Sequence, residues 1–166
     1  MVLNGSIETF PKELKLLIAA FIIVLSIGFY TGVFFINETS SGNPNGIEEQ
    51  YLGNENDLEA TVMKFKKNEH QMLTLVHGHI LSMSIIFFLT GIIFVTTRLN
   101  KKLKLFLLIE PFISVIVTFG GIYLLWKGVL WMKYIIMISG TLMTLSYTIV
   151  ILIILKQLLK SALKLR

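Results

Sequence analysis

The sequence predicts an all-α integral membrane protein, a bundle of four transmembrane helices that run up and down with both termini on the cytoplasmic side. Three observations lead to this fold class. Of the 166 residues, 54% are hydrophobic and only 15% are charged, a composition too apolar for a soluble domain of this size. The apolar residues fall into four long runs, and basic residues cluster at the ends of those runs. We therefore expect a multi-pass protein in contact with a lipid bilayer.

Each apolar run is long enough to cross a bilayer, because a helix needs about 20 apolar residues to span about 30 Å of hydrocarbon. The first run is longer than the apolar core of a typical cleaved signal peptide, and no cleavage site follows it. It is therefore expected to remain as a membrane span. The predicted spans cover residues 16–36, 72–97, 105–126 and 134–155.

One long segment separates the first two spans, and the remaining segments outside the membrane are short. Residues 37–71 are predicted to form an extracytoplasmic loop. Its Ser/Gly/Asn/Pro-rich start, residues 39–46, is predicted to be irregular, and residues 48–65 are compatible with a short surface helix. The other segments are a cytoplasmic N-terminal segment, a cytoplasmic turn, an extracytoplasmic turn and a basic cytoplasmic tail, formed by residues 1–15, 98–104, 127–133 and 156–166.

Lysine and arginine predict the orientation, because loops with an excess of these residues stay in the cytoplasm. Ten basic residues lie on the side of the two termini, namely Lys12, Lys15, Arg98, Lys101, Lys102, Lys104, Lys156, Lys160, Lys164 and Arg166. Five lie on the other side, namely Lys64, Lys66, Lys67, Lys127 and Lys133. At the ends of apolar runs these residues meet lipid headgroups, and we expect no nucleic-acid partner. The richness in Ile, Lys and Asn is compatible with an AT-rich bacterial genome, so the predicted location is the bacterial cytoplasmic (inner) membrane.

All three histidines, His70, His77 and His79, lie where the second predicted span begins. Polar side chains inside a bilayer are costly and therefore mark candidate functional sites. His77 and His79 diverge by about 200° on a helix, so one metal ion cannot easily bind both. His79 and Met83 share a helical face, which makes them candidate ligands for a soft metal such as copper. His79 is the histidine that we expect to face the bundle.

Small residues lie at a similar depth on the other three spans. They allow helices to approach closely, and they also leave room for a flat cofactor beside a histidine. These residues are Gly28 and Gly32 on the first span, Gly120 and Gly121 on the third, and Ser139 and Gly140 on the fourth.

The histidines and the small residues together predict a haem b or quinone contact at His77 or His79. No other span carries a histidine. The second haem ligand is therefore expected from Met137 or Met132 on the fourth span or from a partner chain. The alternative is that the glycines only pack helices, while the histidines face a partner or interfacial water.

Glu110 is the one acidic residue inside a predicted span. Pro111 follows it and disfavours a regular helix there, so the pair predicts a kink. Tyr147 on the fourth span is expected at a similar depth, within hydrogen-bonding reach of the carboxyl group. Glu110 and Tyr147 are therefore a candidate proton or ion site. The alternative is a structural carboxyl group bonded by Tyr147 or by a lysine from the cytoplasmic turn.

Three function hypotheses follow from these residues. The first is a subunit of a bacterial membrane complex concerned with electron transfer, with a haem or quinone at the histidines. The second is a structural or assembly subunit without a cofactor, and the third is a small proton- or ion-coupled carrier that uses Glu110. The sequence contains no nucleotide-binding loop, metalloprotease motif or serine nucleophile motif, so a non-catalytic subunit is favoured over an enzyme. Other membrane subunits or further copies of the chain are the expected partners.

Overall fold

The computed structural model describes residues 6–57 and 60–163. Four of its helices are long and apolar enough to cross a membrane, and the described residues form no strand. The predicted all-α fold with four membrane-spanning helices is therefore confirmed. Two basic residues that contribute to the predicted orientation, Lys164 and Arg166, lie outside the described residues. The helices are α1 (Lys12–Ser40), α2 (Pro44–Leu52), α3 (Glu69–Val95), α4 (Lys101–Trp126) and α5 (Met132–Leu163), and a 3-10 turn (Ile7–Thr9) precedes α1.

The segment between α1 and α3 contains helix where the sequence predicts an irregular loop. Residues 39–46 are predicted to be irregular, but α2 begins at Pro44. Asn43 Oδ1 accepts a hydrogen bond from the backbone N–H of Gly46 at 2.8 Å. An asparagine cap followed by proline in the first turn is a favourable helix start. The loop prediction is therefore wrong for residues 39–40, which end α1, and for residues 44–46, which begin α2. The start signals of α2 outweigh the glycine and asparagine content.

The long helices pack unevenly. α4 and α5 form the most extensive pair, and α3 packs mainly on α4. Thr118 Oγ1 on α4 lies 2.8 Å from Ser139 Oγ on α5. Tyr147 on α5 stacks on Phe29 of α1 at a centroid distance of 4.0 Å and lies 6.0 Å from Phe87 of α3. Apart from this aromatic cluster, α1 makes few contacts with the other long helices, so most of its circumference faces outward.

The glycines that predict close helix packing fall into two groups. A Cβ added at Gly121 would lie 3.0 Å from Ile136 Cγ1, so this glycine does allow α4 and α5 to approach closely. Among the described residues, a Cβ added at Gly28, Gly32 or Gly120 would meet nothing within 4 Å. The prediction that a helix approaches closely at these three glycines is therefore not met by another described helix of this chain, and it stays a prediction for a partner helix. The helices turn other side chains toward the core and leave these positions open.

We call the end of the bundle that carries both termini the inner end and the opposite end the outer end, after the predicted orientation. The outer end is covered by α2 and the segment that follows it. Lys133 Nζ at the start of α5 lies 2.6 Å from Glu48 Oε2 of α2. Trp126 Nε1 at the end of α4 donates a hydrogen bond to Lys67 O at 2.7 Å. Burial raises the pKa of Tyr51 on α2 to about 12, because the ionised phenolate would lose its hydration. The contacts of Lys133 with Glu48 and Asn45 and the indole hydrogen bond of Trp126 thus hold the outer cap in place, and the partly buried Tyr51 phenol stays neutral.

The inner end is closed by the 3-10 turn. Ile7 is 0% exposed, and its backbone N–H donates to Thr96 O at 3.0 Å. Glu8 pairs with Arg98 at 3.5 Å. The Gln157 side chain exchanges two hydrogen bonds of 2.9 Å with the backbone of Arg98. The N-terminal segment and α5 are therefore both tied to the turn between α3 and α4.

Candidate functional site

A capping box at the start of α3 sets the positions of the three histidines. Asn68 Oδ1 accepts from the N–H of Gln71 at 2.9 Å, and Gln71 Oε1 accepts from the N–H of Asn68 at 3.0 Å. This pairing satisfies two donors that a helix start would otherwise leave unpaired. His70, His77 and His79 follow in the next turns, and all three are exposed on the surface of the chain.

The imidazole of His79 is oriented by its own helix and by α4. Its Nδ1 lies 2.8 Å from Leu75 O. A carbonyl oxygen only accepts hydrogen bonds, so Nδ1 carries the proton, and Nε2 of the neutral ring keeps its lone pair. The ring centroid lies 4.8 Å from that of Phe119 on α4. His79 therefore presents an oriented nitrogen lone pair on the outside of the helix bundle. The expectation that His79 faces the bundle is wrong, because its ring lies exposed against Phe119 at the surface of α4.

The surface beside His79 is open. Gly78 precedes His79 on α3, and Gly120 follows Phe119 on α4. In the described part of the chain, a Cβ added at either glycine would meet nothing within 4 Å. The residue before the imidazole and the residue after its aromatic neighbour thus carry no side chain, and no described residue fills the space at either position.

The other predicted ligands have different surroundings. Met83 packs against the hydrophobic core, whereas His79, one turn before it, is exposed. Met137 lies on α5 and is 37% exposed. Across residues 6–57 and 60–163, no group of three or more His, Asp or Glu side chains is placed to hold a metal ion. The haem set of His77, His79 and Met137 and the His79–Met83 metal pair stay predictions.

Glu110 is buried in α4, with 6% of its surface exposed. Ser114 Oγ donates a hydrogen bond to Glu110 Oε1, while Oε2 has no partner among the described residues. The bond between Thr118 and Ser139 fixes an antiparallel register in which Glu110 is level with Tyr147. The Tyr147 hydroxyl is also buried, and its hydroxyl neighbour is Ser26 of α1. The two candidate groups thus share a depth but are not bonded to each other.

The lysines of the inner turn do not bond Glu110. Lys104 Nζ donates to Val95 O at 3.1 Å and also to Thr97 O, so it ties α4 to the end of α3. Lys102 is exposed. In the described part of the chain, Glu110 therefore has one hydroxyl partner and one carboxyl oxygen free to accept another donor.

A family model described as a transmembrane helical domain matches residues 41–165. The chain belongs to the Aq_1264_TM family. No curated protein and no solved structure matches it. The Aq_1264_TM match begins directly after α1 and takes in α2 to α5. All the site residues predicted from the sequence lie within that range, namely His77, His79, Met83, Glu110, Met137 and Tyr147.

Sequence reasoning missed one feature of this Aq_1264_TM protein, a row of hydroxyl groups between α1 and α5. The Tyr30 hydroxyl lies 2.7 Å from Thr148 Oγ1. Ser26 and Thr31 join them along a groove of about 480 Å³. The signal for the row is present in the sequence, because spacings of four and five residues put Ser26, Tyr30 and Thr31 on one side of an otherwise apolar helix.

Proposed function

We propose that this chain is a non-catalytic subunit of a bacterial cytoplasmic-membrane complex that transfers electrons, with His79 as an axial ligand of a b-type haem. The hydrogen bond between His79 Nδ1 and Leu75 O, 2.8 Å long, carries the proposal. A metal-binding histidine usually donates its other ring N–H to a carbonyl or carboxylate, which orients the ring and makes the ligating nitrogen more basic. His79 has this arrangement, with Nε2 directed away from its own helix backbone.

The surroundings of His79 support the binding of a flat cofactor such as haem. The glycines Gly78 and Gly120 leave the surface beside the imidazole open, and Phe119 packs against one side of the ring. An imidazole left in contact with hydrocarbon is costly, and a bound haem removes that cost. The second axial ligand would come from Met137 or from another subunit. A quinone in place of haem would meet the same nitrogen at His79 or the imidazole of His77.

His79→Ala should abolish haem binding, because it removes the nitrogen that the Leu75 carbonyl holds in its ligating tautomer. His77→Ala is the matched control, since it removes an exposed histidine two residues away on a different side of α3. The protein is produced with haem supplied and is purified in detergent. Haem per chain is measured as the pyridine haemochrome, and the Soret band is recorded before and after dithionite. Equal haem content in the two variants would exclude His79 as the ligand, and a colourless parent protein would exclude the haem.

The open glycines of α1 favour a second candidate, a structural or assembly subunit without cofactor. Gly28 and Gly32 lie one turn apart on α1, and no atom of residues 6–57 or 60–163 outside the immediate helix lies within 4 Å of a Cβ added at either position. Such a pair admits a helix of another subunit or of a second copy at short range. A colourless parent protein that purifies with a membrane partner through this face would support the second candidate over the first.

The proposed orientation, with both termini in the cytoplasm, can be tested with single cysteines because the chain has none. Thr61, in the segment before α3, and Lys101, at the start of α4, are both exposed. In intact cells an impermeant maleimide should label Thr61→Cys, whereas Lys101→Cys should be labelled only after the membrane is permeabilised. Asn54 is a poor labelling position because its side chain bonds Val62 O and Lys64 N. The reverse labelling pattern would invert the orientation.

A further inference from the structure

The groove between α1 and α5 has the dimensions of a small-molecule site. Its volume is about 480 Å³, within the range of roughly 300–1,000 Å³ that is usual for such sites. Along α1 it extends from Ile23 to Phe34, which corresponds to about 16 Å at the rise of an α-helix. Both helices are membrane spans, so the groove opens toward lipid. Its apolar walls also include Ile27, Ile151, Leu152 and Leu155.

The hydroxyl protons along this groove are all committed to acceptors within the protein. Thr148 Oγ1 donates to Thr144 O at 2.7 Å, and a hydroxyl has a single proton. The Tyr30 hydroxyl, 2.7 Å from Thr148 Oγ1, must therefore be the donor of that pair. Ser26 Oγ donates to Ile22 O at 2.7 Å.

Thr31 completes the row in the same way, because its Oγ1 donates to the backbone carbonyl of Ile27. The oxygens of Ser26, Tyr30 and Thr31 are thus left with lone pairs but without protons to offer. A molecule in the groove can donate hydrogen bonds to this row, but it cannot accept any from it.

We propose that this groove binds a membrane-soluble hydroquinone through the O–H groups of its ring. The row of hydroxyl oxygens binds hydrogen-bond donors. A hydroquinone, which donates through its two O–H groups, is therefore favoured over the corresponding quinone, which has only carbonyl acceptors. Tyr30 and Phe34 line the groove and provide aromatic surface for a ring, and the apolar remainder suits an alkyl or isoprenoid tail. The site includes none of the histidines, so it stands independently of the haem proposed at His79.

Thr148 lies nine residues beyond Ser139 on α5, about 13 Å deeper toward the proposed cytoplasmic side by the helical rise. Through the Thr118–Ser139 pair, Ser139 is level with the part of α4 that contacts His79. The groove and the histidine surface are therefore separate sites at different depths.

The test compares decylubiquinol and decylubiquinone as probes, each titrated calorimetrically into the full chain in detergent. The parent protein should bind the hydroquinone about tenfold more tightly, the effect of roughly one net hydrogen bond. Thr31→Val should reduce that preference because it removes an acceptor oxygen. Tyr30→Phe should reduce it by less, because the loss of the Tyr30 oxygen frees the Thr148 oxygen beside it. Tyr134→Phe, at the exposed start of α5, is the matched control and should keep the full preference.

Thr31→Val serves as a second variant because the Thr31 hydroxyl bonds only its own helix, so its loss leaves the contact between α1 and α5 intact. A helical circular-dichroism spectrum like that of the parent establishes that each variant is folded. Equal affinity of the parent for both probes would overturn the proposal. So would a preference that persists in both Tyr30→Phe and Thr31→Val, or a groove occupied only by phospholipid that neither probe displaces.

Discussion

Gly46→Ala should destabilise the protein by about 3 kcal/mol or more, far more than a glycine-to-alanine change at a helical position that has open space around it. A Cβ at position 46 would lie 1.9 Å from Ser40 O and 2.6 Å from Ser40 C. Both atoms belong to the backbone at the end of α1, so no side chain can rotate to relieve the collision. The substitution would force α1 and α2 apart and disturb the pair of Lys133 with Glu48.

Unfolding by sodium dodecyl sulfate in detergent micelles, followed by far-ultraviolet circular dichroism, measures this loss. Gly28→Ala is the control, because no described residue lies within 4 Å of the added Cβ and alanine is the better helix former by about 1 kcal/mol. Gly28→Ala should therefore match or exceed the stability of the parent. If Gly46→Ala were as stable as Gly28→Ala, the tight corner between α1 and α2 described here would be wrong.

Ile7→Ala should destabilise the inner end of the bundle by about 2–5 kcal/mol, the usual cost of truncating a fully buried isoleucine. Ile7 is 0% exposed and lies in the turn that bonds Thr96 O. Removing its side chain leaves a cavity under α3 and α5 and weakens the attachment of the N-terminal segment. Ile113→Ala, at a position on α4 that is 58% exposed, removes the same atoms from the lipid-facing side and should cost much less.

A local readout separates this effect from general unfolding. Thr97 is 3% exposed, so a cysteine there should react slowly with a maleimide in an otherwise unchanged chain. The reaction should accelerate when Ile7→Ala is added and should not accelerate with Ile113→Ala. Identical rates in both backgrounds would show that the 3-10 turn does not cover the inner end of the bundle.

The four long helices could be predicted from the sequence because each is a continuous apolar run, a signal that does not depend on tertiary contacts. α2 and the 3-10 turn could not be predicted with the same ease. Both are short, and their positions depend on single capping residues such as Asn43 and on the burial of one side chain, Ile7. A nine-residue helix and a three-residue turn leave little periodicity to detect.

Which side of each helix is buried was harder to predict from the sequence. α3 is apolar around most of its circumference, as expected when lipid and protein interior are both apolar, so hydropathy does not distinguish its buried side from its exposed side. The Gly28–Gly32 pair is compatible with packing inside the chain, yet both glycines face outward. For the candidate site, sequence located the histidines and Glu110. It did not reveal the bond from His79 to Leu75 O or the row of hydroxyls beside Tyr30, because both depend on local side-chain geometry.

The way α1 is attached has a mechanical consequence. The turn at Ile7 anchors its inner end, and the corner at Gly46 anchors its outer end, while few contacts hold the part between. Between these ends, the stack of Phe29 on Tyr147 and the hydrogen bond between Tyr30 and Thr148 hold α1 to α5, so α1 bows away from α5 only where these contacts break. Outward bowing would widen the groove sideways into the acyl chains while both aqueous faces stay closed. Access to the groove would then depend on the thickness and lateral pressure of the bilayer rather than on the loops.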